Sequence, residues 1–142
     1  MLSITLAEQL KDAGLAWTPT LHDFFVLPGR DLDEQVFVIS DMMVDVEKLR
    51  NQHLITFNGA PEWAMDYVLV GDALWMPTET QLRDTLEQLL LEEPPPTVRL
   101  TSIPDGYRCD IHWRGESRLF EAFGASEAYG QALLFVLHEA HL

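Results

Sequence analysis

Residues 98–123, VRLTSIPDGYRCDIHWRGESRLFEAF, give the clearest indication of the fold. Three runs rich in β-branched and aromatic residues are separated by the turn sequences PDG and RGE, and the runs span residues 98–103, 107–113 and 118–123. This spacing predicts a three-stranded antiparallel meander. A helix capped by Ser126 is expected to follow it, ending near residue 140.

Upstream of the meander, the sequence EEPPP at residues 92–96 ends a helix, because three prolines cannot continue one. The chain before it alternates between helical and strand patterns. Helices are predicted at 3–14, at 61–70 and from 78, and strands at 23–28, 34–40, 41–47, 53–57 and 73–76. We therefore predict an α+β fold: an acidic mixed helix and strand unit (1–92), a proline linker (93–97), and a βββα unit (98–142) on which the first unit is packed.

The chain is strongly acidic, with 9 basic and 23 acidic residues and a net charge of −14. Residues 1–96 hold 5 basic and 17 acidic residues, so the acidity is expected to lie in the first unit. Such a charge argues against binding to nucleic acid or to an anionic membrane. The longest apolar run, 132–137, is far shorter than the roughly 20 residues that span a bilayer. The single cysteine, Cys109, favours a reducing cytoplasm.

Catalytic and cofactor motifs are missing from the sequence: it has no Gly-rich phosphate loop and no Gly-x-Ser-x-Gly elbow. Cys109 and His112 lie three apart on a predicted strand and so point to opposite faces. His138 and His141 share a helix face but lack an identifiable third ligand. We therefore expect no metal and no cofactor, and a protein without catalytic activity.

One group of residues is a candidate ligand pocket. Three aromatic residues and three carboxylates surround the Asn58-Gly59 turn, namely Glu62, Trp63, Asp66, Tyr67, Trp75 and Glu79. Aromatic linings are typical of ligand sites, and paired carboxylates can serve as acid and base. The alternative is a solvated acidic edge on a helix that buries its aromatic stripe.

The C-terminal unit contains the candidate interface. On the meander, Tyr107, Cys109, Ile111 and Trp113 are predicted to share the buried face, and Arg108, Asp110, His112 and Arg114 the other, joined by Arg99. The last helix contains ALLFVL at 132–137 and is apolar around most of its circumference, which implies burial on a second side. That side is either the first unit or another copy of the protein. The interface candidates are Arg99, Arg108, His112, Arg114, Leu133, Phe135 and Leu137.

Several motifs in residues 17–90 resemble those of a family of short bacterial proteins, some of which carry an automatic pilus-assembly label. They are Trp17-x-Pro19, Asp23-Phe-Phe, Asp33-Glu-Gln-Val-Phe-Val-Ile-Ser-Asp41, Phe57-Asn-Gly-x-x-Glu-Trp-Ala-x-Asp66 and Trp75-x-Pro-Thr-Glu-x-Gln-Leu-Arg83. The resemblance implies a bacterial origin and brings no catalytic residue. The segment Phe123-Gly-Ala-Ser-Glu-Ala128 also faintly resembles the partial RNase-like fold of some antitoxins.

The function that these patterns predict is binding or regulation through protein–protein contact, with a protein partner or self-association. Two alternatives stay open. One is a small-ligand-binding protein or enzyme built around Trp63, Tyr67 and Trp75. The other is an immunity-like or antitoxin-like protein that neutralises a basic partner through its acidic surface.

Overall fold

The computed structural model describes residues 1–29, 35–39, 44–49, 52–57, 67–90 and 97–140, with the backbone alone at 44–49, 52–57 and 67–68. This part of the chain has an α+β fold, as predicted. Its helices are α1 (Ile4–Asp12), α2 (Glu79–Leu89) and α3 (Ala125–Ala140). Its strands are β1 (Phe24–Val26), β2 (Phe37–Val38), β3 (Val44–Leu49), β4 (Gln52–Phe57), β5 (Tyr67–Leu69), β6 (Leu74–Trp75), β7 (Thr97–Ile103), β8 (Gly106–Trp113) and β9 (Glu116–Ala122). They form three antiparallel sheets, ordered β2-β1-β6, β3-β4-β5 and β7-β8-β9.

The predicted C-terminal meander is confirmed as the sheet β7-β8-β9. Its inner face alternates along β8, where Cys109, Ile111 and Trp113 are all buried. Cys109 lies opposite Leu100 on β7 and Phe120 on β9, so these three residues form one inward-facing row. The period of two in the sequence therefore places most apolar residues of the sheet on one face. Two residues depart from it, because Tyr107, predicted on the buried face, is 37% exposed and Leu119 is 58% exposed on the outer face.

Helix α3 is covered on two sides, as its apolar sequence predicts. It contacts β8 and β9 of the meander, and it also contacts α1 and α2. Its buried residues extend around the helix as Ala128, Tyr129, Gly130, Ala132, Leu133, Val136 and Leu137. The second layer on α3 is therefore formed by helices of the same chain, from the segments before the proline run.

The contact between α1 and α3 depends on a glycine. A Cβ at Gly130 would lie 2.7 Å from Leu6 Cδ2 and 2.8 Å from Leu2 Cδ1, closer than such atoms normally come. Leu2 and Leu6 are themselves buried. The Ser3 amide also donates a hydrogen bond to Glu127 Oε1 of α3, at 2.5 Å. The start of α1 is thus fixed on the first turns of α3 by apolar packing and a polar contact.

Helices α1 and α2 begin where the sequence predicts. The Ser3 hydroxyl accepts a hydrogen bond from the Leu6 amide at 3.2 Å and caps α1. Thr78 and Gln81 form a reciprocal capping box at α2, in which the Gln81 side chain accepts from the Thr78 amide at 2.9 Å. Leu82 and Leu86 are fully buried and provide the apolar stripe of α2.

Contacts divide the chain into two compact units that differ from the predicted division at the proline run. Unit 1 comprises Met1–Leu15 and Pro77–Leu142, and unit 2 comprises Ala16–Met76. The reason is that α1 and α2 bury their apolar stripes against α3. The predicted linker lies mostly outside the described residues. Unit 1 holds 13 acidic and 6 basic residues and unit 2 holds 10 and 3, so each carries a net charge of −7.

Unit 2 contains the two shorter sheets and a small core. Phe25, Leu27, Ile39 and Ala73 are buried together, and Trp17, Phe37 and Val70 pack against them. The strands predicted at 23–28, 34–40 and 73–76 are present but only two or three residues long.

One predicted helix in unit 2 is wrong in its last residues. Residues Tyr67–Leu69 form strand β5, which pairs with β4 so that Thr56 lies opposite Tyr67. A 3-10 turn follows at Val70–Asp72. Tyr, Val and Leu favour a strand when a neighbouring strand is available for pairing. The earlier part of the predicted helix, 61–66, lies outside the described residues.

Candidate interaction site

The predicted aromatic and carboxylate pocket is described only in part. Glu62, Trp63 and Asp66 lie outside the described residues, and Tyr67 is described by its backbone in β5. The Trp75 ring stacks on Trp17, with ring centroids 6.3 Å apart and planes inclined by 4°. The Trp75 Nε1 is buried and meets no acceptor within the part of the chain that the structure describes.

Trp17 is in turn held by a buried carboxylate. Asp23, only 4% exposed, accepts hydrogen bonds on Oδ2 from Trp17 Nε1 at 2.9 Å and from the Thr20 amide and hydroxyl at 3.0 and 3.1 Å. Trp17 also lies 5.9 Å from the ring of Phe25, at the core of unit 2. Trp17 therefore packs between Phe25 and Trp75, and the described aromatic residues belong to the interior packing of unit 2.

Glu79, the remaining pocket candidate, belongs to unit 1. It is exposed in the first turn of α2, where a carboxylate suits the positive end of the helix dipole. It lies close enough to Tyr129 of α3 to influence that hydroxyl. Burial is the main cause that raises the Tyr129 pKa, and the negative charge of Glu79 contributes while Arg83 opposes it.

Three interface candidates, Arg99, Arg108 and His112, lie on the outer face of the meander, as predicted. Arg108 Nε and Nη2 donate to Glu121 Oε1 at 3.1 and 3.0 Å. His112 Nδ1 lies 3.0 Å from Ser117 Oγ, and Arg99 is in register with Asp110. Because acidic and basic groups alternate across the strands, the outer face is of mixed charge and not a basic surface.

Arg114, predicted on that same face, lies elsewhere. It occupies the β8–β9 turn with a φ of 53°, and its guanidinium carbon lies 4.1 Å from the centroid of the Trp113 ring. Arg118 lies 4.8 Å from the ring centroid of Phe135 on α3 and pairs with Glu116 at 3.0 Å. The position differs from the prediction because the chain turns at Arg114, and the alternation of side chains along the strand ends there.

The apolar interface candidates on α3 are mostly buried. Leu133 is 0% and Leu137 is 7% exposed, so the contacts within unit 1 already cover them. Phe135 is half-buried, with its ring 6.5 Å from Trp113 in an edge-on arrangement and 5.7 Å from Phe120. Hence the contacts within unit 1 bury most of the apolar side of α3.

Cys109 is a core residue. It is fully buried, and burial, followed by the negative charge of Asp110, raises the pKa of its thiol to about 11. A thiol with this pKa stays protonated at neutral pH and is a poor nucleophile. Within the described residues no group of three or more His, Cys, Asp and Glu side chains is arranged to hold a metal ion.

The most exposed large apolar residue of the described chain is one that the sequence analysis did not single out. Phe123, between β9 and α3, is 89% exposed. It borders a cavity of about 450 Å³, which is within the usual range for binding sites. The cavity is lined by three apolar residues, three carboxylates and one amide, namely Ile103, Ala122, Phe123, Asp105, Glu121, Glu127 and Gln131.

The backbone at Phe123 is held by a close contact with the β7–β8 turn. At Gly106 a Cβ would lie 2.2 Å from the Ala122 carbonyl oxygen and 2.8 Å from Phe123 Cα. Gly106 also has a φ of 149°, which side-chain-bearing residues rarely adopt. Because the two backbones touch at this point, Phe123 is presented from a fixed position and not from a free loop.

A second cavity, of about 590 Å³, lies at the C-terminal ends of α1 and α3. Its lining consists of Gln9, Asp12, Ala13, Gly14, Leu134 and His138. Among the described residues, its lining contains no aromatic residue and a single carboxylate. The Phe123 cavity is therefore the better candidate site, because it combines an exposed aromatic residue with several polar groups.

The chain matches no protein-family model, no curated protein and no solved structure. The resemblance of residues 17–90 to short bacterial proteins therefore stays a prediction. Within the described part of the chain, none of the helices combines the length and apolar character that crossing a bilayer requires.

The sequence did contain a weak signal for Phe123. An aromatic residue stands directly before Gly124 and the Ser126 cap signal, at the junction of a predicted strand and helix. Strand alternation does not extend through such a junction, so pattern alone could not tell whether the ring turns inward or outward.

Proposed function

We propose that this protein is a small bacterial, cytoplasmic binding or regulatory protein that acts through protein–protein contact, with Phe123 as its principal contact residue. The observation that carries the proposal is the 89% exposure of Phe123 beside a cavity. Aromatic residues at the edge of a pocket contribute strongly to protein interfaces, where they insert into a partner or receive one of its side chains.

The fixed backbone at Phe123 supports this function. A contact residue that is already held in place loses little conformational freedom when it binds. The close approach of Gly106 to Ala122 and Phe123 provides that rigidity. An exposed phenylalanine without a partner only loses favourable burial, so a binding role gives it a physical reason.

The alternative based on an aromatic pocket is less well supported. Of its three aromatic residues, only Trp75 has a described side chain, and that ring stacks on Trp17 near the core of unit 2. The alternative of a basic partner has support from the carboxylates around Phe123.

A site-specific photocrosslinking experiment tests the proposal. Benzoylphenylalanine is introduced at position 123 and the protein is expressed and irradiated in its native host. Leu119, 58% exposed on the outer face of β9, is the matched control position. We expect one discrete crosslinked product from position 123 and none of the same mass from position 119.

The mass of the product identifies the kind of partner. A product of twice the mass of the chain indicates a second copy, and any other discrete mass indicates a different protein. If position 123 yields no discrete product, or the same products as position 119, the proposal is refuted.

A further inference from the structure

We infer that the Phe123 cavity receives an arginine side chain from a segment of the partner protein, with the guanidinium beside Asp105 and Glu121 and the aliphatic stem against Phe123. This inference rests on the proposed function, because it names the chemistry of the partner at the same site. It depends on the charge of the cavity, on its apolar wall and on its size.

The charge of the cavity wall is negative. The described residues that line it include three carboxylates and no basic side chain. Among the described residues, the Asp105 side chain has no hydrogen-bond or ion-pair partner. Arg108 contacts only Oε1 of Glu121, which leaves the second oxygen of that carboxylate for a ligand.

Other nearby charges reduce the negative potential but do not reverse it. Glu127 is engaged by the Ser3 amide and lies at the positive end of α3, so it is partly compensated. Arg108 compensates part of Glu121. Asp105 then remains as the uncompensated carboxylate, on a unit whose net charge is −7. A positive charge is therefore favoured over a neutral or negative one.

The apolar part of the wall favours a long side chain with a flat cationic end. Ile103, Ala122 and Phe123 give a surface against which a methylene stem can lie. The planar guanidinium of arginine stacks on an aromatic face and donates in several directions, so that it can serve two carboxylates. A lysine ammonium is a more strongly hydrated point charge and suits this arrangement less well.

Three capped peptides serve as probes: Ac-Ser-Leu-Arg-Leu-Ser-NH2 and its counterparts with a central lysine or glutamate. Each is titrated into the full-length ¹⁵N-labelled protein, and the amide resonances of Gly106, Phe123 and Gly124 are followed. We expect saturable shifts at these amides with the arginine peptide, weaker binding of the lysine peptide, and none of the glutamate peptide. Raising the salt concentration should weaken the binding of the arginine peptide, because salt screens the attraction between opposite charges.

Two substitutions that each remove one negative charge from unit 1 locate the interaction. Asp105→Asn should lower the affinity for the arginine peptide by about tenfold, because one charge-assisted hydrogen bond is lost. Glu8→Gln, at an exposed position of α1 that does not line the cavity, should change the affinity by less than about twofold, as expected for a charge that solvent and salt screen.

Two results would overturn the inference: equal binding of the arginine and glutamate peptides, or no saturable shift at Phe123. Equal effects of Asp105→Asn and Glu8→Gln would also overturn it. The proposed function can fail separately, because it is tested by crosslinking at position 123. If position 123 gives a discrete crosslink but the titration shows no charge preference, the proposed protein contact stands and the inference that the cavity receives an arginine is overturned.

Discussion

The contact between Gly106, the first residue of β8, and the end of β9 predicts that Gly106→Ala is strongly destabilising. The added Cβ would lie 2.2 Å from the Ala122 carbonyl oxygen and 2.8 Å from Phe123 Cα. Both atoms belong to the backbone, so no flexible side chain can move aside. The segment that presents Phe123 must shift, and the turn must also accept an unfavourable φ of 149°.

The expected cost has two parts. A side chain forced into a positive-φ conformation costs about 1–2 kcal/mol. Overpacking against fixed atoms adds about 1–3 kcal/mol. The free energy of unfolding should therefore fall by about 2–5 kcal/mol in total. This lowers the melting temperature by roughly 5–20 °C in a chain of this length.

A second turn glycine allows the two parts to be separated. Gly115, in the β8–β9 turn, has a φ of 77°, and a Cβ there would meet nothing within 4 Å. Gly115→Ala should therefore show only the conformational cost. Urea unfolding followed by circular dichroism measures both variants, and hydrogen exchange of β7, β8 and β9 shows that the loss arises in unit 1.

The reasoning is refuted if Gly106→Ala is no more destabilising than Gly115→Ala. It also predicts that Gly106→Ala weakens crosslinking from position 123 under conditions in which the protein remains folded, whereas Gly115→Ala does not. A rigid Phe123 is required by the proposed function, so unchanged crosslinking in the Gly106 variant would contradict the claim of a fixed contact residue.

Two further predictions concern the interiors of the two units. Asp23→Ala leaves the Trp17 indole and the Thr20 amide without their acceptor and should cost about 2–4 kcal/mol in urea unfolding followed by tryptophan fluorescence. The exposed Asp72→Ala in the same unit should cost less than about 0.5 kcal/mol, and equal losses would contradict a structural role for Asp23. For Cys109, the folded pKa of about 11 lies above the ordinary value of 9.0, so ionisation favours the unfolded chain. The contribution of the protonated Cys109 thiol to the free energy of unfolding is fully present below pH 9. As the pH rises towards 11, the free energy of unfolding falls by up to about 2–3 kcal/mol. The wild type should therefore lose more stability over this range than Cys109→Ala, and parallel pH profiles would show that the thiol is not the cause.

The candidate site was less predictable than the fold. The sequence pattern predicted Arg114 on the outer face of β8, but its positive φ turns it onto Trp113. It also offered Leu133 and Leu137 as interface residues, although helices of the same unit cover them. Whether an apolar residue is exposed depends on which elements pack on it, and a linear pattern does not contain that information.

Local interactions explain what the sequence by itself determined. Alternation along β8, the turns of the meander, the Ser3 cap and the Thr78 capping box each depend on residues that are close in the sequence, and all are present in the structure. The apolar circumference of α3 likewise predicted that the helix is covered on two sides.

Which segments cover the second side of α3 became known from the tertiary structure and not from the sequence pattern. α1 and α2 flank unit 2 in the sequence, yet they join the meander to form unit 1. Many apolar stripes could cover α3, and Gly130 selects α1 because it allows Leu2 and Leu6 to approach closely. The same applies to Phe123, whose backbone is held by the contact with Gly106, 17 residues earlier in the chain. Contacts between distant residues are set by three-dimensional packing, which neither periodicity nor capping signals encode.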